Sequence, residues 1–266
     1  MTAENVTGLL KLYIWNVRLG ISRSMAYRFD FVIGLITSVL FSGTAPFLQY
    51  IFFTQTKGYP GWNLEQILLF QGLLLLWLGL RQMLFGNVLD VAYGLVRKGD
   101  FDRLLVKPYP PLGVLLCSGF NLKGIGATLS GCALTAYALY GLELVPSVGQ
   151  VALFLFSLLC SIFFYMGVTT LLCTIVIMLV QIGRVEELVE RVLGFGDYPI
   201  NIYPRMLKQL FLTVFPFAIW AYVPSQALLD RMDSGIVTAA IGCFAVFGFS
   251  VWIWNRSLNK YTSAGG

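Results

Sequence analysis

The chain has 266 residues, 58% of them hydrophobic and only 12% charged, and it carries a net charge of +5. Ordinary soluble domains contain about 25% charged residues, so this composition excludes a soluble globular protein and indicates a membrane protein. The chain has no histidine, which removes the most common general base and metal ligand, and we expect neither a metal site nor a catalytic residue.

The first predicted element is an amphipathic helix within residues 1–28. Its apolar residues recur at the spacing of one helix face: Leu10, Tyr13, Ile14, Val17 and Ile21. Lys11 and Arg18 fall on another line of the helix, as in helices that lie in the membrane interface with a basic face toward the headgroups. This helix is either a plain anchor or a lever that transmits motion into the first span.

Six apolar segments follow, and each approaches the roughly 20 residues that a helix needs to cross about 30 Å of hydrocarbon. They are predicted at residues 29–54, 64–91, 112–140, 148–180, 206–223 and 236–254. The fold class is therefore an all-α polytopic membrane protein, with a six-helix transmembrane domain at 29–257 and a tail at 258–266.

The distribution of basic residues predicts the orientation of these spans. With the N-terminus in the cytoplasm, 14 of the 18 basic residues lie in cytoplasmic segments, and only Lys57 and Arg231 lie outside. The positive-inside rule therefore places both termini in the cytoplasm. Because the basic residues are scattered over four segments, we expect contact with membrane lipid and no nucleic-acid binding.

The cytoplasmic loop between the second and third spans is predicted to hold a short docking helix at about residues 98–108. Asp100 is expected to cap its first turn, and Pro108 is expected to end it. Its apolar and charged residues fall on different faces: Phe101, Leu104 and Leu105 against Asp102, Arg103 and Lys107. A helix this short has no core of its own to fill, so we expect the apolar face to dock against a partner protein.

Two basic residues, Arg81 and Lys123, lie within apolar segments. Ionised residues in a membrane usually face the protein interior or an aqueous path, although long side chains near helix ends can reach the interface. Arg81 and Lys123 therefore have either a structural role or a place on a substrate path.

Prolines divide the fifth predicted span. Pro216 and Pro224 each lack an amide donor, so the outer half of this span should kink or break. The stretch from residue 223 to 233 either dips into the outer leaflet or forms a simple loop.

Three function classes fit a chain of this kind. An ion-coupled secondary transporter would place acidic residues near the middle of the membrane, whereas here they lie at the predicted edges. An intramembrane enzyme would need a nucleophile with its base, or metal ligands. The membrane subunit of an ATP-driven transporter needs a cytoplasmic docking helix, and because the chain has no phosphate-loop motif its ATPase would be a separate polypeptide.

Several motifs resemble those of bacterial type-2 ABC exporter permeases. The residues 98–108, Lys-Gly-Asp-Phe-Asp-Arg-Leu-Leu-Val-Lys-Pro, are similar to the family's loop pattern Gly-x-hydrophobic-Asp/Ser-x-x-Leu-x-x-Pro. Further similar segments lie at residues 26–29, 198–204, 215–218 and 222–225. The resemblance covers most of the chain.

The resemblance implies six membrane helices, an interfacial N-terminal helix, and short re-entrant helices at about residues 223–234. It implies an exporter in a bacterial inner membrane, built from two permeases, identical or paralogous, and two cytoplasmic ATPase subunits that bind ATP and Mg²⁺. The family's coupling helix carries over to residues 100–107, with Pro108 at its end. Substrates across the wider family include drugs, lipids and lipid-linked glycans.

Overall fold

The structure is a computed structural model that describes residues 3–56, 58–179, 183–231 and 235–261, and all regular elements in these ranges are helical. The α-helices are α1 (Ala3–Ala26), α2 (Arg28–Ser42), α3 (Thr44–Gln55), α4 (Leu64–Phe85), α5 (Val88–Arg97), α6 (Phe101–Leu105), α7 (Pro111–Cys117), α8 (Ile125–Gly141), α9 (Val148–Leu179), α10 (Gly183–Leu193), α11 (Arg205–Thr213), α12 (Tyr222–Leu228) and α13 (Gly235–Leu258). Short 3₁₀ turns lie at Leu122–Gly124, Gly194–Asp197, Ile200–Ile202 and Phe217–Ile219.

Four helical segments of the described chain are long and apolar enough to cross a membrane. They are Arg28–Gln55, Leu64–Arg97, Val148–Leu179 and Gly235–Leu258. A fifth is possible if α7 and Leu122–Gly141, which meet at 46°, form one broken span. These segments match five of the predicted spans and confirm the all-α polytopic fold.

The fifth predicted span, residues 206–223, is not one continuous helix. α11 ends at Thr213, and a 3₁₀ turn at Phe217–Ile219 separates it from α12. Pro216, with φ −72° and ψ 55°, produces the predicted break. The second predicted break does not occur, because Pro224 lies in the first turn of α12, where a missing amide breaks no helical bond. Residues 232–234 of the predicted re-entrant stretch lie outside the described residues.

The third predicted span is broken at residues 118–121, which the sequence did not suggest. A second break lies opposite, between α4 and α5. The Asn121 Nδ2 donates to Asn87 Oδ1 at 2.9 Å, and the Asn87 backbone N–H donates to the Gly119 carbonyl at 3.1 Å. These bonds satisfy backbone and amide groups that have no water partner in a membrane.

Small residues let α4 and α8 approach until their backbones touch. A Cβ on Gly72 would lie 2.6 Å from Thr135 Oγ1, and a Cβ on Gly79 would meet the backbone nitrogen of Thr128. Gly131 meets α4 in the same way at Leu76. Close packing of this kind is how membrane helices associate without a hydrophobic driving force between them.

The N-terminal helix packs on α7 through one side only. Asn16 Nδ2 donates to the Cys117 carbonyl at 3.1 Å, and Gly8 faces the ring of Tyr109. Of the predicted apolar stripe, Tyr13 and Val17 are partly buried, whereas Leu10, Ile14 and Ile21 are exposed. The exposed apolar residues are available to contact the membrane interface.

Candidate functional site

The predicted docking helix is held to the end of α5 by a tight turn. Gly99 has φ +68°, a conformation that glycine adopts without strain. The Gly99 N–H donates to the Val96 carbonyl at 3.2 Å, and the Asp100 N–H donates to the Leu95 carbonyl at 2.9 Å. These two bonds form a Schellman motif, which ends α5 and sets the direction of α6.

The predicted cap at Asp100 is wrong. Its carboxylate makes no capping hydrogen bond and instead pairs with the Arg103 guanidinium at 3.0 Å. A capping residue needs an extended backbone, whereas Asp100 has φ −81° and ψ −4°. In this conformation the carboxylate forms the ion pair with Arg103 and no cap.

The expected partner-facing role of Phe101 and Leu104 is also wrong. Both side chains are buried within this chain, Phe101 completely. The Phe101 ring lies 5.0 Å from the ring of Tyr261 and 6.4 Å from that of Trp254, at the end of α13. The sequence alone could not show that Trp254 and Tyr261, near the end of the chain, would cover this short helix.

The remaining residues of the segment form an exposed surface, which we call the outer face. It consists of Arg103, Leu105, Val106, Lys107 and Pro108. Val106 is the most exposed apolar residue of the group, at 86%. Asp102 is partly buried and lies at the edge of this surface. The outer face thus combines three apolar and two basic side chains on α6 and the turn that follows it.

A cleft on α5 adjoins this segment. It has a volume of about 580 Å³ and is lined by Asp90, Tyr93, Gly94, Arg97 and Lys98. Val185 and Val189 of α10 pack against the hydrophobic cluster that contains Val88, Ala92 and Val96 of α5. α10 therefore packs on the same hydrophobic cluster as α5 and α6. On the same helix, burial together with Glu190 and Asp90 raises the pKa of the Glu186 carboxyl.

Arg81 has a protein partner. Its Nη1 lies 3.0 Å from Glu190 Oε2 on α10, and its guanidinium lies 4.9 Å above the ring of Tyr165 on α9. The Tyr165 hydroxyl donates to the same carboxylate at 3.4 Å. Burial raises the pKa of the nearby Asp197 carboxyl to about 6, although Arg81 acts in the opposite direction. This arrangement favours the structural role of Arg81.

Lys123 lies elsewhere and is exposed. It belongs to the 3₁₀ turn at Leu122–Gly124 and borders a cavity beside α1 and α2. Arg81 and Lys123 do not line a common cavity among those found in the described residues.

The sequence reading missed Glu190, the partner of Arg81, and the facing asparagines Asn87 and Asn121. A signal existed for the asparagines, since each lies close to a glycine inside an apolar segment. Nothing in the sequence indicated which of the acidic residues would reach Arg81.

Comparison with known proteins gives one family match. A sequence model of the family described as ABC-2 family transporter protein matches residues 39–265, which is most of the chain. The matched range contains the outer face, Arg81 and Lys123, but not α1. No curated protein matches the chain significantly.

Proposed function

Because the chain belongs to the ABC-2 family of transporter proteins, we propose that it is the permease of an ATP-driven exporter that is coupled to a separate ATPase through the outer face. The chain is the transport subunit, and the partner ATPase binds ATP and Mg²⁺ on the cytoplasmic side of a bacterial inner membrane. A second permease, identical or paralogous, completes the assembly.

One observation carries this proposal, namely the division of the segment 100–108 into a buried and an exposed side. Phe101 and Leu104 anchor it to the helix bundle, whereas Leu105 and Val106 are exposed. Exposed apolar residues on a short, rigidly attached helix fit the apolar contacts found at the centre of protein interfaces. Arg103 and Lys107 add basic groups at the rim, where charge favours the choice of partner.

The anchoring also explains how a displacement of the outer face is transmitted to the membrane spans. Phe101 and Leu104 share one hydrophobic cluster with Leu172 and Cys173 of α9 and with Trp254 of α13. The Schellman turn joins the same helix to α5. A displacement of α6 by ATP-driven closure of the partner is therefore passed to three spans at once, as a shift between two packings of the bundle.

The test is to change the outer face without disturbing the anchor. Leu105→Asp combined with Val106→Asp places two charges on exposed positions, so the permease should insert and keep its thermal stability. We expect the amount of ATPase subunit that copurifies with the double variant in mild detergent to fall at least tenfold, because charges at an apolar contact are desolvated without a partner. Transport-coupled ATP hydrolysis should be lost as well.

Phe101→Ala is the matched control, since it changes the buried side of the same helix. It should lower the thermal stability of the permease itself, because a completely buried phenylalanine is lost. Unchanged copurification and ATP hydrolysis in the outer-face variant would contradict the proposed coupling surface. Solute movement along an ion gradient by the permease alone, without any ATPase, would instead support the secondary transporter.

A further inference from the structure

A cavity lies between α1, α2 and the start of α8. It has a volume of about 710 Å³. Polar residues lie where α1, α2 and the 3₁₀ turn meet: Arg23, Ser24, Asn121 and Lys123. Along α2 the lining is mainly apolar, with Phe31, Gly34, Leu35 and Phe41, and it includes the hydroxyl side chains of Thr37 and Ser38. We call this cavity the α2 groove.

Contacts between α2 and α8 fix the direction of the groove. A Cβ on Gly126 would lie 2.6 Å from Ser38, and Ser42 Oγ donates to Ser130 Oγ at 2.9 Å. The two helices therefore run side by side in the same direction. Lys123 lies at the level of the first half of α2, and Phe41 lies beyond it, deeper in the apolar span.

The length of the groove matches one leaflet of a bilayer. Phe31 and Phe41 are ten residues apart on a helical span, which corresponds to about 15 Å along its axis. Half of the hydrocarbon core of a bilayer is also about 15 Å. A groove of this length that begins beside basic residues and continues to Phe41 can hold a lipid headgroup and the first part of an acyl chain.

The charges at the start of the groove are uncompensated. Within the described residues the ion pairs are Arg81–Glu190 and Arg103–Asp100, so neither Arg23 nor Lys123 is paired in that part of the chain. Asp30 lines the same cavity but forms no ion pair with either of them. Two cations against one carboxylate leave a net positive charge, which attracts an anionic group.

The middle of the groove is open. A Cβ on Gly34 would have no atom within 4 Å, and no residue of α2 is buried. Because water is excluded from the hydrocarbon region, an apolar groove open on this side is filled by apolar matter. A second protein chain in the groove would have to supply carboxylates opposite Arg23 and Lys123, because burying unpaired cations is costly.

We propose that the α2 groove binds one anionic phospholipid of the adjoining leaflet. Its phosphate lies between Arg23 and Lys123, and one acyl chain runs along α2 over Gly34. This site is distinct from the outer face, and it does not depend on the proposed coupling to an ATPase.

The first experiment removes the charges. The permease, purified with its associated subunits and stripped of lipid in detergent, is incubated with dioleoyl phosphatidylglycerol or dioleoyl phosphatidylcholine, and bound lipid is counted by native mass spectrometry. We expect the wild type to retain phosphatidylglycerol preferentially. Arg23→Gln with Lys123→Gln should weaken this retention at least tenfold. Arg256→Gln with Lys260→Gln, which removes the same charge from exposed positions at the end of α13 outside the groove, should leave it unchanged.

The second experiment fills the groove. Gly34→Leu adds a side chain into open space, so it should block the acyl chain and reduce phosphatidylglycerol retention without affecting stability. Gly248→Leu is the matched control, because a Cβ there also meets no atom within 4 Å, on α13 away from the groove. Glycerol 3-phosphate at millimolar concentration should compete weakly or not at all, because it lacks the acyl chain.

Four results would overturn the proposal. They are equal retention of the two lipids, an equal loss in the Arg256/Lys260 control, full competition by glycerol 3-phosphate, and unchanged lipid retention in Gly34→Leu. In the last case, a simultaneous change in the number of permease copies would show that a second chain covers the groove. Copurification of the ATPase is recorded in the same samples, so failure of the coupling proposal is seen separately.

Discussion

The Arg81 guanidinium joins two other helices, since it lies over the ring of Tyr165 on α9 and forms an ion pair with Glu190 on α10. Its charge also acts on the Asp197 carboxyl. Arg81 is largely buried, whereas Glu190 is partly exposed. The contribution of this pair to stability therefore lies between two limits. A surface ion pair contributes about 0–1 kcal/mol, and disrupting a fully buried one costs about 3–5 kcal/mol.

We predict a coupling free energy of about 1 kcal/mol between Arg81 and Glu190. It would be measured by a double-mutant cycle with Arg81→Gln, Glu190→Gln and the double variant, from the free energy of unfolding in mixed micelles titrated with SDS. Arg81→Gln should cost the most, because it leaves carboxylates without their cation and removes the contact with Tyr165. Arg191→Gln, on the exposed side of α10, is the control and should be silent. Additive effects of the two single variants would show that the pair contributes nothing.

The contacts of individual side chains were the hardest feature of this molecule to predict from the sequence. The types of residue in the segment 100–108 indicated a short amphipathic helix, and that helix, α6, forms. The environment of each side chain depended on distant residues, since Phe101 is covered by Trp254 and Tyr261. Likewise, Glu190 lies 109 positions from Arg81. No local pattern encodes pairings of this length.

At the scale of whole helices, the contact between α4 and α8 depends on glycines at residues 72, 79 and 131. A Cβ on Gly79 meets Thr128 through both its hydroxyl and its backbone nitrogen. A side chain can rotate away from such a contact, but a backbone atom cannot. The two helices would have to separate to accommodate any larger residue.

We predict that Gly79→Ala destabilises the protein by about 1–3 kcal/mol, the usual cost of overpacking a close contact. The control is Gly248→Ala on α13, where the added methyl group meets no atom within 4 Å. That change should be neutral or stabilising by up to about 1 kcal/mol, because alanine has the higher helix propensity. The free energies of unfolding in SDS titrations provide the comparison. Equal effects at the two positions would show that α4 and α8 are not in backbone contact.

Helices were more predictable than side-chain contacts, because each long span is apolar over its whole length. Pro216 correctly indicated the break before α12, since its missing amide acts locally. The break at residues 118–121 was missed, because it is stabilised by Asn87 from another helix. Interruptions caused by the residue itself can be read directly from the sequence, whereas those stabilised across helices are indicated only indirectly, by polar residues inside an apolar segment.

At the scale of the whole molecule, the bent pair α7 and α8 decides the topology. If the pair crosses the membrane, the loop after α8 and the coupling segment lie on opposite sides. If the pair is re-entrant, they lie on the same side. The basic residues favour a crossing, because residues 97–107 carry four of them while the loop at 142–147 carries none.

We predict that a cysteine replacing Val145 reacts with a membrane-impermeant maleimide in intact cells, and that one replacing Val106 reacts only after permeabilisation. Both positions suit labelling, since Val145 is 94% and Val106 is 86% exposed. The background lacks the five native cysteines, of which Cys160, Cys173 and Cys243 are buried and are replaced by alanine to limit disturbance of the packing. Prior treatment with an impermeant blocking reagent should abolish the signal at residue 145 and leave that at residue 106 intact. Labelling of both positions in intact cells would show that α7 and α8 form a re-entrant pair. Labelling of residue 106 alone would show the reverse orientation. Either result would place the outer face on the side of the membrane opposite to a cytoplasmic ATPase.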